Sequence, residues 1–364
     1  MKLYHVISLG TATLLSIGAL VLLTKTNQVE LNQDFRMETL KGNVAILNAI
    51  NLESIIKIDQ NEYAKIVLNG EHATITPTVY DAYHGLTDDQ LENRELYRHT
   101  SHPTTFENDD YLMTMQFDYH FPYSSDVPTA RLAIKNKHTN EVAVKNSIIS
   151  EFAASEWVDR EYLSEANGTY YYVLTTSGRN NSSSRVLVYT IDPDTLDLSF
   201  KFEKSFTSAG LTECVDNLLY TVEYLTDLDQ PQSQLIVTNL ETMERTTQLL
   251  GPDIFPEASV KVDDTLYLMI DYKLYEYTPE KANPLTAMPT PSFTENLDPN
   301  DYYWISQKLV HENYIYMIFQ CYNEMFNQQI LTVFDTNSKQ FVYEGKINVR
   351  DDQGLVTDYQ LKLK

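Results

Sequence analysis

Six of the eight histidines in this chain fall between His72 and His138, and imidazoles gathered in one stretch invite a metal-site reading. The tightest group is His99-Thr100-Ser101-His102, followed by Asp109, Asp110 and His120. Metal binding needs three or four such ligands to converge in space. A His-x-x-His pair outside a helical pattern does not bring two rings onto one face, so a polar loop without metal is the favoured reading. The run DPDTLD places Asp192, Asp194 and Asp197 near the alternate spacing that calcium sites use. It also sits in a recurring turn, where an aspartate caps the backbone. Tyr170-Tyr171-Tyr172 and Tyr302-Tyr303-Trp304 offer surfaces for stacking sugars, but at strand spacing such aromatics fill sheet interfaces. The sequence has no GxSxG elbow, HExxH pair, Walker loop or GxGxxG run. No catalytic residue, metal or cofactor is therefore expected.

Charge narrows the partners. The chain has 364 residues and a formal net charge of −24, from 51 acidic against 27 basic side chains. Nucleic acid is excluded, because a phosphate backbone requires a basic footprint. Hydrophobic residues make up 43 %, enough for a substantial core. Cys214 and Cys321 are too few for a disulfide framework and are read as separate small hydrophobes.

At the N-terminus, residues 6–24 read VISLGTATLLSIGALVLLT. At about 1.5 Å per residue this run matches a hydrocarbon core of about 30 Å. An uncleaved anchor is expected over residues 1–25. A cleaved signal competes less well, because small residues Gly18 and Ala19 precede a further apolar stub. Residues 26–42 read as a stalk, and 43–364 as a single folded domain outside the cytoplasm.

That domain carries an internal repeat. Apolar strands begin at Tyr111, Thr169, Asn217, Thr265 and Tyr314, spaced 58, 48, 48 and 49 residues apart. After each comes a polar loop and a second strand. In four units that strand ends in Asn or Asp followed three residues later by Thr or Ser: Asn136/Thr139, Asp192/Thr195, Asn239/Thr242 and Asp335/Ser338. Side chains of these types bond their own backbone and set a hairpin, so a further strand follows. The fold class is therefore all-β: a β-propeller of about six blades (five to seven), preceded by the transmembrane helix. Residues 43–100 supply the sixth blade, with a helical insertion at 86–97, and the terminal DYQLKLK closes the ring. Two β-sandwiches are the alternative.

On this repeat the chain resembles the bacterial β-propeller families with quinoprotein- or YVTN-like blades, whose strands also end in an apolar-x-apolar-Asp-x-x-Thr turn. It departs from them in lacking the glycine after Thr and regular blade tryptophans, with only Trp157 and Trp304 present. The resemblance covers roughly residues 100 to 350 and implies a propeller shape with no particular activity.

In a propeller the loops between second and third strands share one face of the disc. Here these are the long ones: 118–128, 177–184, 225–232 and 320–327. Tyr119, His120, Phe121, Tyr123, Asn180, Asp227, Asp229, Tyr322 and Phe326 are the candidate partner-binding residues, mixing aromatic anchors with polar neighbours. The function expected is a membrane-anchored, extracytoplasmic, non-catalytic binding or scaffold module for a protein or cell-envelope glycan. Two alternatives stay open: a cell-envelope polysaccharide hydrolase or lyase in the central funnel, and an accessory or sensory subunit of a membrane transport complex.

Overall fold

The computed structural model describes residues 35–59, 62–69, 72–78, 92–98, 100, 103–118, 128–153, 156–178, 184–206, 209–225, 231–252, 254–279, 281, 283–296, 302–323, 326–349 and 359–364. The chain opens with β1 (Phe35–Gly42), β2 (Ile50–Asp59), β3 (Glu62–Asn69) and β4 (His72–Thr78). Three quartets follow: β5 (Thr104–Glu107), β6 (Tyr111–Asp118), β7 (Thr129–Asn136) and β8 (Val142–Ile148); β9 (Glu156–Ala166), β10 (Thr169–Gly178), β11 (Ser184–Ile191) and β12 (Leu198–Phe206); β13 (Ala209–Val215), β14 (Leu218–Leu225), β15 (Gln232–Asn239) and β16 (Arg245–Pro252). Next come β17 (Ala258–Val262), β18 (Thr265–Ile270), β19 (Lys273–Tyr277) and β20 (Leu285–Ala287). The last are β21 (Tyr302–His311), β22 (Tyr314–Asn323), β23 (Phe326–Asp335), β24 (Gln340–Val349) and β25 (Gln360–Leu363).

These strands form six antiparallel sheets, one per blade. Blade I is β25-β2-β3-β4, blades II to V are the consecutive quartets from β5 to β20, and blade VI is β21 to β24 with β1 added at its edge. The expected propeller is therefore present, with six blades. Its ring is closed at both ends of the chain: β25 pairs with β2 through Ile50↔Leu363 to Glu53↔Gln360, and β1 pairs with β24. Residues 35–42, assigned to the stalk from their polarity, are thus a strand. β1 lies on the outer edge of its sheet, a position that asks little apolar content of it.

Every apolar strand read from the repeat is the second or third of a blade. The repeated Asx turn joins the third strand to the fourth. Asn239 Oδ1 accepts the Glu241 and Thr242 amides at 2.9 and 3.0 Å, and Asp192 Oδ1 those of Asp194 and Thr195 at 2.9 and 3.2 Å. The residue four past each Asx adopts positive φ: Asn140 (60°), Leu196 (58°), Met243 (60°) and Lys339 (54°). Glycine reaches this backbone region without steric cost, yet none of the four positions holds one.

The core lies between blades. Leu52, Ile66 and Leu68 of blade I pack on Tyr316, Ile318, Leu331 and Tyr343 of blade VI. Equivalent clusters join blades II to III, III to IV, IV to V and V to VI. The 26 tyrosines suit this arrangement, since a ring buries in the interface while its hydroxyl reaches a polar partner. Tyr316 donates to the Ile46 carbonyl (3.0 Å), Tyr189 to Glu151 (3.0 Å) and Tyr277 to Gln248 (2.9 Å). Tyr170, Tyr171, Tyr172 and Tyr303 are all buried, as the core reading of these runs required.

Among the described residues no helix is long and apolar enough to cross a membrane. Residues 6–24 lie outside the described residues.

Candidate functional site

Adjacent inner strands run in the same sense around the ring. Tyr162 and Ser164 of β9 donate to the Thr212 and Asp216 carbonyls at β13, and Glu213 and Asp216 in turn meet Ser259 and Lys261 of β17. Antiparallel pairing then sorts every connection onto one of two faces. Links from second to third strand, and from one blade to the next, share a face. They include residues 79–103, 119–128, 149–155, 179–183, 226–231, 253–257, 288–301 and 350–359, with short exceptions at 60–61, 207–208, 271–272 and 324–325. The opposite face carries tight turns at 108–110, 137–141, 167–168, 192–197, 216–217, 240–244, 263–264, 312–313 and 336–339, with longer exceptions at 43–49 and 278–284. The length asymmetry read from the sequence is thus built into the topology.

Two of these connections are pinned where they are described. A short helix α1 (Arg94–Tyr97), within the expected 86–97 insertion, buries Leu96 and Tyr97 against Ala133. Arg131 donates to the Leu96 carbonyl at 2.8 Å. In residues 288–301 a single helical turn, Ser292–Asn296, is capped by Glu344, whose fully buried carboxylate accepts from Ser292 N (2.8 Å), Ser292 Oγ (2.7 Å) and Phe293 N (3.0 Å). A carboxylate supplied with three donors at a helix start is electrostatically well placed.

Of the residues expected on this face, Tyr119, His120, Phe121, Tyr123, Asn180, Asp227 and Asp229 lie outside the described residues. Tyr322 and Phe326 do not sit on a long loop. β22 and β23 stay in register from Tyr314↔Asp335 through Tyr322↔Asn327 to Asn323↔Phe326, so 320–327 is the tip of a hairpin. The apolar pattern stops before the ladder does, because backbone pairing continues without apolar side chains to mark it.

Sequence reading found the first strand of blade I, the terminal DYQLKLK, but missed those of blades II to VI. β9 (EWVDREYLSEA) is the clearest case: charged residues interrupt the strand pattern because its edge lines the axis rather than a neighbouring strand. These inner strands touch in the order β5, β9, β13, β17, β21, β25. They carry a polar belt. Glu213 accepts from Ser259 Oγ (2.7 Å) and Ser259 N (3.3 Å) and forms an ion pair with Lys308, which also donates to the Ser259 carbonyl at 2.6 Å. Burial lowers the Lys308 ammonium pKa, Glu213 opposes that shift, and nearby Arg160 adds to it. Tyr162 is pushed up to about 12 by burial, against the opposing charge of Arg160.

Each carboxylate of β5, β9 and β13 is engaged. Glu107 pairs with Lys137 (2.8 Å), Asp159 accepts from Ser177 (2.8 Å) and Glu165 from Gly168 N (2.6 Å). Glu156 receives Arg185 in a two-pronged contact at 2.5 and 2.6 Å. Glu161 accepts Phe117 N at 2.9 Å and Tyr172 Oη at 2.8 Å, both on Oε2. Burial raises its carboxyl to about 7 despite these two bonds.

The metal candidates are described only in part. Among the described residues no three His, Cys, Asp or Glu side chains converge on a common point. His138 bonds Asp110 at 2.8 Å, and His99, His102 and His120 lie outside the described residues. Asp192 is the turn cap described above, and Asp197 pairs with Lys145 at 2.6 Å. Cys214 is a free thiol pushed up to about 12 by burial.

No protein-family model matches this chain. No curated protein matches it in sequence. Some solved structures are similar to it over most of its length. The periplasmic gluconolactonase of Pseudomonas aeruginosa is similar at 12 % identity over 84 % of each chain, with a TM-score of 0.48. The cobalt-substituted Synechocystis apocarotenoid oxygenase is similar at 6 % identity over 89 % of this chain and 95 % of its own, with a TM-score of 0.48. A single-residue mutant of that oxygenase gives 7 % identity over the same shares and a TM-score of 0.46. These likenesses concern the fold alone.

Proposed function

We propose that this protein is a membrane-anchored, extracytoplasmic propeller that binds a protein or cell-envelope glycan through its long-loop face, without catalysing a reaction on it. The observation that carries this reading is the one-sided distribution of connections. A rigid ring with tight turns on one face and long segments on the other is a scaffold for recognition, because loops can vary while the sheets hold their ends. The acidic surface favours partners that present cationic or neutral groups.

The topology adds an orientation. β1 runs antiparallel to β24, so its Phe35 end lies at the long-loop face. A helix formed by residues 6–24 would leave the disc from that same face. The segment between them, residues 25–34, spans at most about 35 Å when fully extended. The partner is then one that lies close to the membrane. Replacing residues 119–127 with a short Gly-Ser linker should abolish partner capture on intact cells while leaving the melting temperature unchanged. Capture at the wild-type level by the shortened protein would remove the loop face from the account.

A further inference from the structure

Blades IV and V are bridged on the long-loop face by residues 253–257, and the described part of that bridge, 254–257, is held at both ends. The Ile254 carbonyl accepts from Ser233 Oγ of blade IV, and Glu257 N donates to the Met269 carbonyl of blade V at 2.9 Å. Ser233 lies opposite Tyr224 in the blade IV sheet. The Phe255 ring meets the Tyr224 ring edge to face at 5.1 Å and stays 41 % exposed. Burial alternates along the bridge: Phe255 is exposed, Pro256 buried and Glu257 half-buried. Phe255 and Glu257 therefore turn outward together. The Glu257 carboxylate makes no hydrogen bond or ion pair among the described residues, and neither does the Tyr224 hydroxyl. Glu344, which caps another connection of this face, takes three donors. A half-buried carboxylate without a donor loses hydration and gains no partner. The Ala258↔Met269 pairing also brings Glu257 up to the turn at Asp271, whose carboxylate has no cation among the described residues either. Burial raises the Glu257 carboxyl, and the Asp271 charge adds to the rise.

We propose that Glu257 and the Tyr224–Phe255 pair form the contact site at which the loop face takes a cationic side chain, lysine or arginine, of a protein partner. The proposal rests on the loop-face reading and names the partner's chemistry. Lysine and arginine join an apolar stem to a charged head. Phe255 and Glu257, about 7 Å apart in an extended chain, offer an aromatic ring to the stem and a carboxylate to the head in that order. The head then forms a charge-assisted hydrogen bond with the carboxylate that lacks one. The bridge is fixed to both blades, so little ordering is required of it on binding. The net charge of −24 draws cations toward this face. An amino sugar carries the same charge but surrounds it with hydroxyls, and the neighbours Ile254, Phe255 and Pro256 offer these no polar side chain.

The test uses the folded, full-length protein in detergent and saturation-transfer NMR. The probes are Nα-acetyl-lysine amide and Nα-acetyl-arginine amide, their neutral counterparts Nα-acetyl-norleucine amide and Nα-acetyl-citrulline amide, and glucosamine. The proposal expects binding of a cationic side-chain probe above that of its neutral counterpart. Glu257→Gln should weaken it by roughly five-fold or more, Phe255→Ala should weaken it as well, and added salt should do so in the wild type. Glu257→Gln keeps the shape of the side chain, so its melting temperature should match the wild type. Glu312→Gln, in an exposed turn of the opposite face, should leave binding unchanged. Equal binding of a cation and its neutral counterpart, equal binding by wild type and Glu257→Gln, or no binding of either cation would each overturn the proposal. Tighter binding of glucosamine than of both side-chain probes would overturn the protein partner in favour of a glycan. Each of these results is read separately from the loop-replacement capture assay, so the site and the loop face fail independently.

Discussion

Glu161 offers a quantitative test of the blade interface. Its carboxyl lies between blades II and III, takes Phe117 N and Tyr172 Oη on a single oxygen, and is raised by burial from 4.5 to about 7. In the unfolded chain the same group titrates near its ordinary value. Below pH 4.5 both states hold the proton and the group adds no pH dependence. Between 4.5 and 7 the unfolded chain releases the proton while the folded protein keeps it, so stability falls as pH rises. Above 7 the loss is complete. Since one pKa unit corresponds to about 1.4 kcal/mol, the full loss is about 3 kcal/mol. Glu161→Gln removes the titration and keeps the geometry, because both donors already converge on one oxygen and the amide oxygen can take its place. Urea unfolding at half-unit steps from pH 4.5 to 8 should show a wild-type decline that the variant lacks, with the two curves parting progressively up to pH 7. A variant whose stability declines in parallel with the wild type would show that Glu161 is ionised in the folded protein, and the reasoning from burial would fail.

Two further outcomes follow from the ring. Ending the chain after Asp358 removes β25 with the buried Tyr359 and Leu361, exposing the β2 edge; at about 1.5–3 kcal/mol per buried side chain this costs about 3–6 kcal/mol, a large share of a domain's total stability. The truncated chain should melt well below the wild type in a thermal scan, and an unchanged melting temperature would contradict ring closure by β25. Arg185→Ala leaves Glu156, 9 % exposed at its side chain, without its two-pronged partner, which should cost about 3–5 kcal/mol in urea unfolding; a loss below about 1 kcal/mol would mean that the pair is solvated.

The second, third and fourth strands of most blades could be read from the sequence because they combine an apolar run with an Asx turn, and Asn239 shows the cause directly by accepting two backbone amides. The first strands of blades II to VI could not. Their charged residues answer to partners that only the assembled sheets bring together: Asp159 accepts from Ser177 of β10, and Glu161 from Phe117 N of the neighbouring blade. β1 was hidden for a different reason: Phe35–Gly42 pairs along one edge and, of its described side chains, buries only Met37 in the core, so its composition reads as linker. Of the candidate partner-binding residues, seven lie outside the described residues, and Tyr322 and Phe326 belong to a hairpin tip.

The central claim is that recognition belongs to one face of the ring. A photo-crosslinking amino acid placed at Tyr123 on the long-loop face, and separately at Asp194 in a tight turn on the other, tests it on intact cells. The account predicts a discrete adduct from position 123 and none from 194. An adduct from 194 with none from 123 would turn the molecule over, and with it the function assigned to its loops.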